Sequence, residues 1–251
     1  MPKVLPLKII CWLILAVLTP ASAFADGVTN TTNFAAILQS TPSAEMPARA
    51  AELVVQADAT NRLQTSIGVV KSAVGLNPAA VLAVVGSIAE SAPVTAATVA
   101  ETAAALEPDS ARSIARAAAA SVPAAAGAIV EAVCRVNPAD YQGIGLAVAR
   151  VAPGLDGQIL AGVAAGIPEL KWEIEEKLAG YRGLEFTAGM VLAEVAASEC
   201  SQQYLKSMAQ SRRHSLAGRG RSLAALMDSA AGEGGSFGLE GVFQPQDFSR
   251  P

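Results

Sequence analysis

Proline recurs at Pro78, Pro93, Pro108, Pro123, Pro138, Pro153 and Pro168, every 15 residues without a slip. A proline has no backbone N–H, and its ring clashes with a preceding helical turn. It also pushes the residue before it to an extended conformation. No helix longer than about a dozen residues runs undisturbed through this region. A spacing this regular over about a hundred residues means that one structural unit is repeated.

Between the prolines the pattern is helical. With each unit starting just after a proline, the units are 79–93, 94–108, 109–123, 124–138, 139–153 and 154–168, with a weaker one at 64–78. Apolar or small residues recur at positions 3, 6, 7, 10, 11 and 13 or 14, the spacing of one helix face. Position 6 is always β-branched: Val69, Val84, Val99, Ile114, Ile129, Ile144 and Ile159. Position 9 is always small: Ser72, Ser87, Thr102, Ala117, Ala132, Ala147 and Gly162. A small side chain there admits a neighbouring backbone. Each unit predicts one helix of about eleven residues, about 17 Å long, opened by its proline.

Alternate prolines have different neighbours. Leu76-Asn77-Pro78, Leu106-Glu107-Pro108 and Val136-Asn137-Pro138 form one class; Ser91-Ala92-Pro93, Ser121-Val122-Pro123 and Val151-Ala152-Pro153 form the other. The full period is therefore 30 residues, two antiparallel helices per repeat. One such hairpin cannot bury its apolar face alone, whereas stacked hairpins share a continuous core. The sequence predicts an all-α fold, an α-solenoid of stacked helical hairpins. A closed up-and-down helical bundle is the alternative architecture.

The flanks divide the chain further. Residues 1–25 have the layout of a signal peptide: Lys3 and Lys8, a ten-residue apolar run from Ile9 to Leu18, then Ala21-Ser22-Ala23 and Ala23-Phe24-Ala25 as cleavage sites. The apolar run is too short to span a bilayer. This predicts export to a periplasmic or extracellular space, with cleavage near Ala23 or Ala25. Residues 26–46 are polar and turn-rich, with room for a short helix at 33–39, and Asn30-Thr31-Thr32 matches a glycosylation acceptor. The repeat domain is assigned to 47–183, with 47–58 as its amino-terminal cap. Its carboxyl cap is the charged stretch from Glu169 to Leu178, in which Glu173 and Lys177 have helix-pairing spacing. Trp172 in that stretch is expected to cover the end of the core, with partner contact as its other reading. Residues 184–229 predict amphipathic helices, the first over 184–209 with Phe186, Met190, Val191, Val195, Cys200 and Tyr204 on its apolar face. A basic patch follows at Lys206, Arg212, Arg213, His214, Arg219 and Arg221. Residues 230–251, with five glycines and two prolines, have the composition of a disordered tail.

Charge and chemistry narrow the function. The chain carries a formal charge of −4. Loss of Lys3 and Lys8 with the leader leaves sixteen basic residues against twenty-two acids, or −6. Such a chain has no general attraction for nucleic acid or anionic lipid. Of its cysteines only Cys134 and Cys200 survive cleavage. An exported compartment permits a disulfide between them, but Cys134 sits in an alanine column and reads as a buried free thiol.

The one histidine, His214, lies among arginines, and no metal-ligand spacing, nucleophile elbow, phosphate loop or dinucleotide fingerprint is present. Gly143-Ile144-Gly145 falls inside a repeat helix and reads as packing. Asp109, Asp140 and Asp156 lie in first turns, where an acid caps the helix or favours its dipole. Glu101 and Glu131 share position 8 in units 30 residues apart and are expected to stack as an acidic ladder, water-facing or open to a cation or basic partner.

No cofactor or metal is implied. The expectation is an exported, non-catalytic repeat protein, an interaction or scaffold module for a protein or peptide partner. Its candidate contacts are Glu101, Glu131, Trp172, Arg212 and Arg213. The alternatives are a membrane-active or self-assembling structural protein, suggested by 52% hydrophobic composition, and an enzyme of unknown class acting through carboxylates.

Overall fold

The computed structural model describes residues 34–181 and 185–211. They are helical throughout, with no strand among them. A short helix α1 (34–39) leads into α2 (Met46–Gln56) and α3 (Arg62–Leu76). The repeat proper is α4 (Val81–Ser91), α5 (Ala96–Leu106), α6 (Ala111–Ser121), α7 (Ala126–Val136), α8 (Tyr141–Ala149) and α9 (Asp156–Gly166). It is followed by α10 (Pro168–Gly180), α11 (Ala188–Ala197) and α12 (199–211). Residues through Gln202 group as one unit and those from Gln203 as another.

The prolines make the corners. Pro78, Pro93, Pro108, Pro123 and Pro138 each open a three-residue 3-10 turn that runs straight into an eleven- or nine-residue α-helix. The residue before each of these five prolines leaves the helical region, as at Ala92 (φ −138°, ψ 72°) and Val122 (φ −135°, ψ 75°). In α4 through α7, eleven α residues, one non-helical linking residue and three 3-10 residues account for the whole period.

The joint satisfies its own backbone. The Ala92 N–H donates to Ile88 O at 2.8 Å, closing the helix behind it, and the Ala92 carbonyl accepts from Thr95 N at 2.9 Å, opening the next. The same pair of bonds recurs at Asn77, Glu107, Val122 and Asn137. Proline removes one of the orphan donors of a helix start, and no side-chain cap is made at these starts.

Two corners depart from this pattern. At Pro153 the chain turns through Gly154 (φ 79°) instead of a 3-10 segment. Pro168 begins α10 directly.

Helices two apart in sequence pack most extensively on one another, α2 on α4 on α6 on α8, and α3 on α5 on α7 on α9. These are two layers, and sequential neighbours join them. Side chains therefore meet across about thirty residues: Arg135 with Glu101, Arg112 with Asp140, Asn137 with Pro108. The array is a stacked helical repeat. It does not close into a bundle: among the described residues no substantial packing joins the first helices to the last.

The entire position-6 column, Val69 through Ile159, is 0% exposed and forms the seam of the core. Positions 3, 7, 10 and 11 of α4 to α7 are buried beside it. Position 13 corrects the expected face. Leu76 and Leu106 stand at a helix end beside a corner and are exposed, at 38% and 43%.

Small residues let the layers close. A Cβ on Gly127 would lie 2.8 Å from Gln158 O, and one on Gly166 2.6 Å from Glu131 O. A Cβ on Gly162, the position-9 residue of α9, would overlap the backbone of Gly127. Here α7 and α9 touch main chain to main chain.

At the carboxyl end α11 takes the next place beside α8, and α10 packs on α9 and α11. Leu192 of α11 fills the space over Gly145, where a Cβ would sit 2.5 Å from its Cδ1. The helix expected over 184–209 is two helices. Ser198 is extended (φ −73°, ψ 154°), and its Oγ accepts from Ser201 N at 3.2 Å, capping α12.

Candidate binding surface

Three groupings of polar side chains stand out, and the repeat geometry builds each.

The first lies on the outer side of the layer containing α6 and α8. Arg112, Ser113 and Arg116 of α6 face Gly143, Leu146, Ala147 and Arg150 of the α8 segment across a groove of about 210 Å³. Arg112 reaches over α8, and its Nε and Nη2 donate to the two carboxylate oxygens of Asp140. Gly143 makes that reach possible, because a Cβ there would overlap the guanidinium. Asp140 thus bridges helices and makes no cap for its own helix. Arg116 and Arg150 are exposed, and neither forms an ion pair with a described residue. Three guanidinium groups face one carboxylate.

The second grouping lies on the other layer. Glu101 and Glu131 do stack, one helix apart, as their shared position predicts. Arg135 stands between them, with Nη1 3.3 Å from Glu101 Oε1 and Nη2 2.6 Å from Glu131 Oε1. The carboxylates share a cation supplied by the chain itself, so the ladder is bridged rather than bare. Arg135, one turn beyond Glu131 on α7, was the missing signal.

The third grouping lies at the carboxyl cap and is buried. Tyr141 OH and Ser201 Oγ are 2.8 Å apart, both within the core. Glu173 is only 6% exposed, and its Oε2 has no hydrogen-bond partner. It faces inward, so the surface pairing with Lys177 expected from spacing is not what holds α10; the pair on that helix is Lys171–Glu175 at 4.0 Å. Burial pushes the Tyr141 hydroxyl above its ordinary range; the bond to Ser201 opposes this, and the charge of Glu173 adds to it. The Cys200 thiol is raised by partial desolvation, a hydrogen bond with Glu173 and the charge of Glu173.

The remaining predicted residues separate. Trp172 is 70% exposed. It does not cover the end of the core; Leu170, Glu173 and Ile174 are the residues α10 buries. Arg212 and Arg213 lie outside the described residues, as do the leader, Asn30, His214 and the tail. Asp156, in the first turn of α9, accepts from the Ala188 backbone N–H at 2.6 Å and so caps α11 together with Thr187. Cys134 and Cys200 are unpaired. Burial, with Asp140 nearby, pushes Cys134 up to about 12. Among the described residues no group of three or more His, Cys, Asp or Glu side chains is placed to hold a metal ion. None of their helices is long and apolar enough to cross a membrane.

No protein-family model matches the chain, and no curated protein or solved structure shows significant similarity to it.

Proposed function

We propose that this chain is an exported scaffold or interaction protein whose helical array holds a protein or peptide partner. The observation that carries the reading is the α6/α8 groove, where Arg116 and Arg150 leave positive charge unmatched on a chain that is acidic overall. An array of this kind offers a long surface made of successive helices, and such surfaces suit extended partners. Glu101, Glu131 and exposed Trp172 offer further contacts, and Arg212 and Arg213 remain partner-contact candidates in the carboxyl segment. The leader-like residues 1–25 support export with cleavage near Ala23 or Ala25.

The test uses residues 26–251 against an immobilised library of acidic, basic, neutral and apolar peptides, with light scattering and liposome flotation in parallel. Saturable binding of a peptide class by a dispersed protein that ignores liposomes is the expected result. Absence of saturable binding to any class overturns the reading. Flotation or growing particles would then favour the membrane-active or self-assembling alternative.

A further inference from the structure

Resting on that scaffold reading, we propose that the groove between α6 and α8 recognises carboxylates on an acidic peptide, with Arg116 and Arg150 as the two donors and Arg112 as a fixed wall.

The clustering of three guanidinium groups around one carboxylate supplies the first argument, since Arg62, Lys71 and Lys177 also form no ion pair with a described residue. Arg135 is shared by two glutamates, and Arg49 pairs with Glu52 at 2.5 Å. The chain has twenty-two acidic residues and eighteen basic ones. Even so, Arg116 and Arg150 meet no carboxylate among the described residues. Arg112 and Arg116 are also i, i+4 on α6, a like-charge spacing that disfavours an isolated helix. Asp140 offsets one of the three charges, and two are left facing outward.

The groove is also built. Gly143 has no side chain where the Arg112 guanidinium lies, and Asp140 takes that guanidinium with both oxygens. This pair fixes one wall, so Arg112 acts as a positioning residue. The floor is Leu146 and Ala147 with Gly143, which suits the methylene stems of Glu and a nearby main chain. At about 210 Å³ the groove is smaller than the roughly 300–1,000 Å³ of small-molecule pockets. It fits side chains laid across a surface. A guanidinium presents a planar fork matched to a carboxylate, and such charge-assisted bonds are about twice as strong as neutral ones.

Fluorescence anisotropy tests this with residues 26–251 and a fluorescein-labelled peptide of alternating Glu and Ala. Lys/Ala and Gln/Ala peptides are the controls. The Glu/Ala peptide should bind, and binding should weaken as salt rises. Arg116→Ala and Arg150→Ala should each reduce affinity about tenfold. Arg49→Ala, on α2 and away from the groove, should leave it unchanged. Both groove arginines are exposed, and an unchanged melting temperature would confirm that their variants fold. Inorganic phosphate should compete only weakly; strong competition would reassign the groove to phosphate and overturn the carboxylate assignment. Glu/Ala binding that survives in the Arg116→Ala, Arg150→Ala double variant would overturn the site. Binding of only the Lys/Ala or Gln/Ala peptide would sink this inference and leave the scaffold reading standing.

Discussion

The side-chain amide of Asn137 donates to the carbonyl oxygen of Pro108 at 3.0 Å, tying one corner to the corresponding corner 29 residues earlier. Asn137 is nearly buried, at 7% exposed. The bond gives a physical reason for an amide at that corner. Asn137→Ala is expected to lower stability by about 1 kcal/mol, the usual net worth of one such bond. Asn137→Asp should cost more, because an ionised carboxylate would face a carbonyl oxygen. Urea midpoints of the two variants check this order, and a more stable Asp variant would show that the bond does not hold the edge.

Ile129 stands in the middle of the position-6 column and is fully enclosed. Ile129→Val removes one methylene and should cost about 1 kcal/mol. Ile129→Asp places an unpaired charge between the two layers and should cost about 4 kcal/mol or more, enough to unfold neighbouring repeats together. Circular dichroism during heating distinguishes the cases. Near-equal melting temperatures for the two variants would contradict the seam.

Much of this arrangement is legible in the sequence, because it rests on short-range rules repeated many times. A fixed proline spacing sets the corners, and the column of Val and Ile sets the seam. The features that were not legible depend on contacts across the repeat. Nothing local says that Arg135 reaches back to Glu101, or that Asp140 serves Arg112 rather than its own helix start. Asp156 likewise caps α11, thirty-two residues on. Trp172 and Glu173 exchanged expected roles because α10 docks on α9 and α11 by the face bearing Leu170, Glu173 and Ile174, a rotation that its mixed sequence does not specify. The break at Ser198 did have a local signal, a serine three residues before Ser201, but the apolar spacing on both sides masked it.

The glycines separate into two kinds, with opposite expected signs. Around Gly75 of α3 nothing lies within 4 Å of an added Cβ. Gly75→Ala should therefore stabilise the chain by about 0.5–1 kcal/mol through helix propensity. Gly162→Ala would press a methyl into the backbone of Gly127 and force α7 and α9 apart, an overpacking cost of about 1–3 kcal/mol. Thermal midpoints of the single variants test both. Destabilisation by Gly75→Ala, or none by Gly162→Ala, would mean that the helices are not spaced as described.

The two thiols of the leaderless chain should behave differently. Cys134 is enclosed and pushed up to about 12, so it stays protonated and shielded at pH 8. Cys200 is exposed, although partial desolvation, with a hydrogen bond to Glu173 and the charge of Glu173, holds its pKa above the ordinary value. A disulfide reagent at pH 8 should modify Cys200 in the native protein, and Cys134 only after denaturation. Glu173→Gln removes a charge that opposes the thiolate, so it should speed the Cys200 reaction. The sign for stability follows from Cys134. Its folded pKa lies above the ordinary value of 9.0, so its contribution is complete below pH 9 and fades as pH rises toward 12. Cys134→Ala should flatten that alkaline loss relative to the parent chain. Parallel pH profiles for the two proteins, or rapid native labelling of Cys134, would show that α7 is open where the structure has it closed.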